Sequence, residues 1–243
     1  MIALVTGAAS GIGAEYARQL AERGFRVLKV DRTELPGESD ALALDLTDAD
    51  SSERLLAWID SLGVLPDLWI NNAGIFDFKP VGELTEGRID LYVDLHVRSL
   101  TQICRAIGRR MAERGSGMIL NMSSMSCWMP MPGIAMYSAT KAYIRAFSRA
   151  LRLELKDSGV SVTVACPGGI ATDLFGLPKN LQRLAVRLGV LQTPQKFVRK
   201  AINKTLKHRK QYINGWLNRV SIVFVGALPD WVRIQVKRRL LDR

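Results

Sequence analysis

Cysteine is scarce in this sequence, with three residues in 243. Cys104, Cys127 and Cys166 share no close spacing, so they cannot all pair with one another and do not form a zinc-binding pattern. We interpret them as buried or free thiols in a reducing compartment, and we expect a cytoplasmic protein that binds no metal.

Long apolar runs and targeting signals are missing as well. Met1 leads into an apolar run of only four residues and then into glycines, without a charged leader, so we do not expect secretion. No stretch reaches the ~18 apolar residues that a membrane-spanning helix needs. The sequence has no aromatic-rich single-strand platform, zinc finger or helix-turn-helix, and we therefore expect no nucleic-acid partner.

Acidic residues are scarce near the C-terminus. From Lys179 onward, the chain contains sixteen Lys and Arg residues and only two acids, Asp230 and Asp242, which gives this part a net charge of +14. The first 178 residues carry eighteen bases and twenty-one acids, or −3, and the two parts account for the +11 of the whole chain. The basic part indicates either an acidic partner, such as a membrane surface or an anionic substrate, or a solvated basic face.

Short apolar, β-branched runs alternate with longer amphipathic stretches along the chain. The short runs predict strands at 3–6, 26–30, 41–44, 68–71, 118–122, 161–166 and 211–214. The longer stretches predict helices at 12–23, 48–62, 85–113 and 137–157. Because several strands are apolar on both faces, we predict an α/β fold, a doubly wound parallel sheet of about seven strands with helices on both faces, in one domain over residues 1–243.

The segment TGAASGIG, residues 6–13, follows the first predicted strand and opens the first helix. Gly7 permits a tight turn, Gly11 lets the backbone approach a diphosphate, and Gly13 lets the helix pack closely on the strand. The helix N-terminus adds N–H donors and a positive dipole. The pattern predicts a dinucleotide-binding loop.

Asp31 and Arg32, at the end of the second predicted strand, bear on the choice of cofactor. The Asp31 carboxylate can accept hydrogen bonds from both hydroxyls of the adenosine ribose and would repel a 2′-phosphate. The Arg32 guanidinium could bind that phosphate if Asp31 turned away. We predict NAD as the cofactor, with NADP as the alternative.

Four motifs in order give the chain a resemblance to the classical short-chain dehydrogenase/reductase family: TGAASGIG, NNAG (71–74), YSATK (137–141) and PGGIAT (167–172). The resemblance covers roughly residues 1–175. It implies a Rossmann-like fold, NAD(P)-dependent interconversion of a secondary alcohol and a ketone, and a homo-dimer or homo-tetramer. It also implies a substrate lid at 173–210. Residues 211–243 form a basic and hydrophobic C-terminal extension.

The resemblance assigns the catalytic roles to Ser124, Tyr137 and Lys141. Tyr137 would be the general acid or base on the substrate oxygen, and Ser124 would hydrogen-bond that oxygen. A free phenol ionises at about pH 10, so its pKa must be lowered, and Lys141, one helical turn on, can stabilise the phenolate and hold the nicotinamide ribose. Ser123 and Ser126 are neighbours of the same type, so the choice of Ser124 depends on its spacing from Tyr137.

Further cofactor contacts are implied at the ends of the predicted strands. Asp45 and Leu46 would lie at the adenine, and Asn71 would steady the sheet beside the cofactor. The other implied contacts are Ser10, Ile12, Asn72, Ala73, Gly74, Pro167, Gly168, Ile170 and Thr172.

His96 stands where the family usually has an asparagine that holds a water in a proton path from the lysine to solvent. A histidine can also relay protons, and its ordinary pKa of about 6.5 would add a pH-sensitive step. The alternative is that the side chain fills space in the helix while the backbone still holds the water. Both interpretations are open at this point.

The C-terminal extension is a second departure. Apolar residues, including Trp216 and Phe224, precede a Pro-Asp break, and Trp231 follows among bases. The stretch is too short to cross a bilayer. It could lie on a membrane, cover a lipophilic substrate cleft or join two subunits.

The predicted lid contains NLQRLAVRLGVL, residues 180–191. Its leucines fall on one helical face, and Lys179, Arg183 and Arg187 fall on another. The apolar face suits a hydrophobic substrate, and the bases suit a carboxylate or phosphate at the far end of that substrate. The alternative is an amphipathic helix packed on the protein's own core.

The sequence as a whole predicts an oxidoreductase with a small-molecule alcohol or ketone substrate. Two alternatives belong to other classes. One is a non-catalytic dinucleotide-binding sensor, and the other is a membrane-peripheral member of the family that acts on a lipid.

Overall fold

Seven strands form one parallel sheet in the computed structural model, which describes residues 1–171, 180, 186 and 191–241. The strands are β1 (Ile2–Thr6), β2 (Arg26–Asp31), β3 (Ala41–Ala43), β4 (Leu68–Asn71), β5 (Gly117–Met122), β6 (Val160–Ala165) and β7 (Gln211–Tyr212). Their order is β3-β2-β1-β4-β5-β6-β7, so the strand order reverses between β1 and β4. Ligands of such sheets bind at the carboxyl ends of the strands beside this point. The predicted doubly wound α/β fold is confirmed.

The helices cover both faces of the sheet. They are α1 (Gly11–Ala21), α2 (Ser51–Ser61), α3 (Glu86–Val93), α4 (Leu100–Arg114), α5 (Ala135–Glu154), α6 (Pro194–Leu206), α7 (Trp216–Gly226) and α8 (Asp230–Leu240). A π-helical turn, Asp94–Ser99, separates α3 from α4, so the single helix predicted at 85–113 is interrupted. Short 3₁₀ turns lie at Val81–Glu83, Met125–Trp128 and Lys156–Ser158.

Alternate residues of each strand face two separate parts of the core. Ala3 and Val5 of β1 pack with helices α1 and α6 on one side, whereas Leu4 packs with α2 and α4 on the other. All three side chains are fully buried. A strand covered on both faces must be apolar throughout, which is why these segments lack a polar-apolar alternation.

A chain of buried polar side chains fixes α5 against the sheet. The Asn71 amide of β4 donates to the Asn121 carbonyl oxygen of β5 at 2.7 Å, and the Asn121 amide donates to the Ser148 hydroxyl of α5 at 2.9 Å. Every member has a partner, so this buried network adds rigidity without leaving a polar group unsatisfied. It fixes the helix that carries Tyr137 and Lys141.

The C-terminal helix α7 packs against the loops that follow β5 and β6. The Asn214 side-chain oxygen accepts the Gly168 N–H at 2.7 Å, and a Cβ added to Gly168 would lie 2.3 Å from the Asn218 amide nitrogen. A Cβ on Gly226 would lie 3.2 Å from the Trp128 carbonyl oxygen. One face of α7 therefore packs on the loops that carry Gly168 and Trp128. Across the described ranges, every helix is too short or too polar to span a bilayer.

Candidate active site

The glycine loop between β1 and α1 forms a cradle that tolerates no side chains at its closest points. Gly7 and Gly11 have positive φ angles of 66° and 55°, where glycine is favoured. A Cβ on Gly13 would lie 1.8 Å from the Gly7 carbonyl oxygen, so the close approach of helix to strand requires glycine there. Ser10 is the N-cap of α1, and its side chain makes no capping hydrogen bond within the described residues. The hydroxyl and the first N–H groups of α1 are thus available to an anion.

Asp31 is held at the carboxyl end of β2 by the backbone. One carboxylate oxygen accepts the Ala9 N–H at 2.9 Å, and the other accepts the Thr33 N–H at 3.0 Å. Each oxygen keeps a further lone pair for a ligand hydroxyl. Arg32 is exposed beside it on the same cleft. Both residues therefore lie where the sequence placed them, next to the glycine loop.

A cleft of about 390 Å³ runs from this loop to the middle of α5. Of the sequence-predicted residues, its walls include Gly7, Ser10, Gly11, Ile12, Asp31, Arg32, Asp45, Leu46, Asn72, Ala73, Gly74, Tyr137, Lys141 and Pro167. A second cavity of about 420 Å³ lies between α1 and α6 and contains none of these groups. The glycine cradle, the uncapped helix N-terminus and the adjacent carboxylate fit a dinucleotide. No group of three or more potential metal ligands occurs among the described residues.

Some implied contacts lie away from this cleft. Gly168 binds Asn214 through its N–H, and Ile170 is buried in the apolar cluster on the α1–α6 side of the sheet. Gly13 acts through the packing of α1, not as part of the cleft wall. Thr172, and residues 173–179, 181–185 and 187–190 of the predicted lid, lie outside the described residues.

Tyr137 and Lys141 lie on one face of α5, both buried. The Lys141 Nζ atom is 5.6 Å from the centre of the Tyr137 ring and donates to the Met122 carbonyl oxygen at 3.1 Å. Burial lowers the pKa of Lys141 to about 8. Burial raises the pKa of Tyr137 to about 12, and a hydrogen bond from Ser124 opposes this rise. The Phe76 ring meets the Tyr137 ring edge-on at 5.0 Å between centroids.

The three neighbouring serines have different environments. Ser124 contacts the Tyr137 hydroxyl, whereas Ser123 donates to the Lys141 carbonyl oxygen at 2.7 Å. The buried Ser126 hydroxyl finds no partner in the part of the chain that the structure describes. The contact with Tyr137 favours Ser124 as the serine that shares the substrate oxygen.

His96 lies in the π-helical turn and bridges two parts of the site. Its Nε2 atom accepts the Ile75 N–H at 3.2 Å, so the proton of the neutral ring is on Nδ1, which lies 3.0 Å from the Thr140 hydroxyl. Burial, with the positive charges of Lys141 and Arg88, holds the pKa of His96 well below its usual range. Both ring nitrogens are occupied, which favours a positioning role over a proton relay.

Sequence reasoning did not assign roles to two residues that shape the site. The Thr6 hydroxyl accepts the N–H groups of Asn72 at 3.0 Å and Ala73 at 3.1 Å, which fixes the loop after β4 against the glycine loop. Thr140 holds His96. Both residues stand inside sequence motifs of the site, TGAASGIG and YSATK. Their roles involve partners more than 40 residues away, which the local pattern does not reveal.

Comparison with known proteins adds four findings. The family model described as short chain dehydrogenase matches residues 1–180. The human protein named inactive hydroxysteroid dehydrogenase-like protein 1 is 28% identical over 246 residues, which cover 95% of this chain and 73% of that protein. The very-long-chain 3-oxoacyl-CoA reductase-B of Danio rerio is 29% identical over 240 residues, covering 93% and 74%. A solved short-chain dehydrogenase from Sphingobium yanoikuyae in complex with NADPH has a TM-score of 0.78 at 25% identity, covering 94% of this chain and 96% of that one.

Proposed function

The chain belongs to the short-chain dehydrogenase family, and we propose that it interconverts a secondary alcohol and a ketone on a hydrophobic substrate with a nicotinamide dinucleotide. One observation carries the proposal: the Tyr137 hydroxyl lies against Ser124, with Lys141 beside its ring, on a cleft of dinucleotide type. The general acid Tyr137 and the cation Lys141 line that cleft, and Ser124 lies beside the Tyr137 hydroxyl behind the cleft wall.

The bound nicotinamide supplies or accepts the hydride, and the residues of this chain handle the proton. In the direction of reduction, the Tyr137 hydroxyl gives its proton to the substrate oxygen, which Ser124 also hydrogen-bonds. The raised pKa of Tyr137, about 12, is opposite to the lowering expected from the sequence and keeps the phenol protonated at neutral pH, which is the form that can donate a proton. In the direction of oxidation the phenolate is needed, and the Lys141 ammonium stabilises it electrostatically.

For the cofactor we propose NAD, with NADP as the alternative. Asp31 is directed by two backbone N–H groups at the place where an adenosine ribose would lie, and a 2′-phosphate there meets a like charge. Arg32 on the same cleft is the group that would favour NADP. The Sphingobium relative was solved with NADPH, so affinities for both cofactors need to be measured.

The substrate is proposed to be apolar around the reacting carbon. The Phe76 ring against Tyr137 supplies aromatic surface at the proton donor. The Danio relative is named for very-long-chain acyl substrates, which agrees with this class. We also propose a homo-dimer or homo-tetramer in the cytoplasm, where the thiols of Cys104, Cys127 and Cys166 remain free.

A second candidate function is a non-catalytic dinucleotide sensor. The human relative named as inactive favours this possibility. The intact set of Ser124, Tyr137 and Lys141 argues for catalysis instead. The two functions share cofactor binding and differ in turnover.

The test uses the purified full chain with NADH or NADPH carrying deuterium at C4 and a panel of short and long aliphatic, aromatic and steroidal ketones. We expect deuterium to appear on the carbinol carbon of at least one apolar ketone, and Tyr137→Phe to abolish this transfer while cofactor fluorescence still reports binding. Binding of either cofactor without transfer to any ketone would support the sensor. Absence of binding would contradict both functions.

A further inference from the structure

The outer face of α7 exposes an unusual amount of apolar surface. Trp216 is 71% exposed, Val223 68% and Phe224 70%, and Leu217 and Val220 complete the set at 55% and 41%. These five residues, called here the apolar stripe, fall at positions i, i+1, i+4, i+7 and i+8 and therefore share one side of the helix. Monomeric soluble proteins rarely expose so continuous a patch without a partner.

The stripe is not the packing face of the helix. Asn218 packs on Gly168, and Gly226 lies against the Trp128 carbonyl, so the opposite side of α7 packs on the loops that follow β5 and β6. The apolar residues of the stripe thus face away from that contact. A small substrate bound at Tyr137 would not cover them.

Helix α8 adds basic and aromatic groups beside the stripe. Arg233 donates to the Gly226 carbonyl oxygen at 2.9 Å, which holds the start of α8 at the end of α7. Trp231, at the start of α8, is 69% exposed, and Ile234 is 47% exposed. From Trp216 to Leu241 there are five bases and one acid, Asp230, a net charge of +4. The bases are Arg219, Arg233, Lys237, Arg238 and Arg239.

The net positive charge beside the stripe indicates which kind of partner the stripe contacts. A second copy of the chain would bring two regions of the same sign together and add like-charge repulsion to the contact. An anionic lipid surface offers apolar acyl chains for the stripe, negative headgroups for the bases and an interface in which tryptophan is favoured. We propose that α7 and α8 dock the protein onto an anionic membrane surface, with the stripe at the boundary between headgroups and acyl chains and the bases of α8 at the headgroups.

Docking at this position has a consequence for the candidate site. The inner side of α7 contacts the Met125–Trp128 turn, which follows Ser124 directly. The membrane would then lie one helix away from the proton donor, and an apolar substrate could pass between bilayer and cleft. This consequence depends on the proposed function, whereas the docking itself does not.

The test measures co-sedimentation of the full chain with vesicles of phosphatidylcholine alone or mixed with phosphatidylserine. We expect binding to the mixed vesicles and weaker binding to the neutral ones. Val223→Asp combined with Phe224→Asp should weaken binding to mixed vesicles at least ~10-fold, because two apolar contacts are replaced by charges that anionic lipid repels. The matched control is Leu153→Asp on α5, since Leu153 is 72% exposed and lies outside the stripe. Its binding should stay within about 2-fold of the original protein.

A second variant tests the contribution of the bases to membrane binding. Arg238→Glu with Arg239→Glu should reduce binding to the mixed vesicles by ~10-fold or more and leave binding to neutral vesicles unchanged. NADH fluorescence confirms the fold of each variant and is independent of membrane contact. Failure of the original protein to sediment with mixed vesicles would overturn the proposal. So would a stripe variant that changes the particle mass in light scattering but not vesicle binding, since the stripe would then join two copies.

Discussion

Replacing His96 with asparagine tests how the site is held together and should change the pH dependence of stability. In the folded chain, His96 joins the Ile75 N–H to the Thr140 hydroxyl and is buried. Burial holds its pKa well below the usual value. Asparagine cannot titrate, so any stability effect that depends on protonation of this ring disappears in His96→Asn.

The direction of the pH effect on stability follows from the difference in the pKa of His96 between the folded and unfolded states. In the unfolded chain His96 takes up a proton near its ordinary pKa of about 6.5, whereas the folded chain resists protonation until a much lower pH. The contribution of the neutral His96 ring to the free energy of unfolding is therefore complete above about pH 6.5, and it is lost as the pH falls towards the pKa of the folded state. Over that window the original protein loses about 1.4 kcal/mol per pH unit more than the variant.

Near neutral pH the variant should be the less stable protein, by roughly 1 kcal/mol, because the shorter asparagine side chain leaves the partly buried Ile75 N–H without the His96 Nε2 acceptor. As the pH falls, the difference in the free energy of unfolding between the original protein and the variant should shrink. The assay is urea unfolding of both proteins from about pH 7.5 to about pH 5, and His208, present in both, cancels from the difference. Parallel curves for the two proteins would refute the reasoning. In the same variant, the pKa values of the pH–rate profile should be unchanged if His96 positions the site, whereas a shifted profile would support a relay.

Three further predictions address other parts of the site. Lys141→Met should raise the free energy of unfolding at neutral pH by roughly 3 kcal/mol in calorimetry, because the buried amine has a folded pKa of about 8 against 10.5. The gain should vanish above the unfolded value, and turnover should be lost; an unchanged melting temperature would contradict this burial cost. Gly13→Ala should weaken NADH binding at least ~100-fold in fluorescence titration, since its Cβ meets a backbone oxygen at 1.8 Å, whereas Gly87→Ala, with open space around it, should not. Asp31→Ser should shift the NADH-to-NADPH affinity ratio towards NADPH at least ~10-fold, and an unchanged ratio would remove this carboxylate from the cofactor choice.

The sheet was predictable from the sequence because strands covered on both faces must be apolar throughout. The strand at 68–71 agrees with β4 to the residue, and the others agree within about two residues, as expected for element ends. The last strand is shorter than predicted, at Gln211–Tyr212. The interruption of the helix at Asp94–Ser99 could not be predicted, since six residues are too few to distinguish a π turn from an α turn by periodicity.

The candidate site, like the fold, was predictable from the sequence only in part. Glycine positions and the four-residue spacing of Tyr137 and Lys141 are local, so they are readable along the chain. The contacts of Thr6 with the loop after β4, and of Asn121 with Asn71 and Ser148, join segments 27 to 67 residues apart. Such contacts depend on the assembled sheet. The two-sided character of α7 is also a property of the fold, because its inner face is defined by what it packs against.

The most direct test of the account is the single-turnover rate of hydride transfer in Tyr137→Phe, measured on a ketone that the original protein reduces. The substitution removes only the hydroxyl and keeps the ring that packs against Phe76. We predict a rate at least ~10²-fold lower, the scale of a lost general acid, with NADH affinity within about 3-fold of the original. A transfer rate that survives the substitution within about 3-fold would contradict the assignment of Tyr137 as the proton donor.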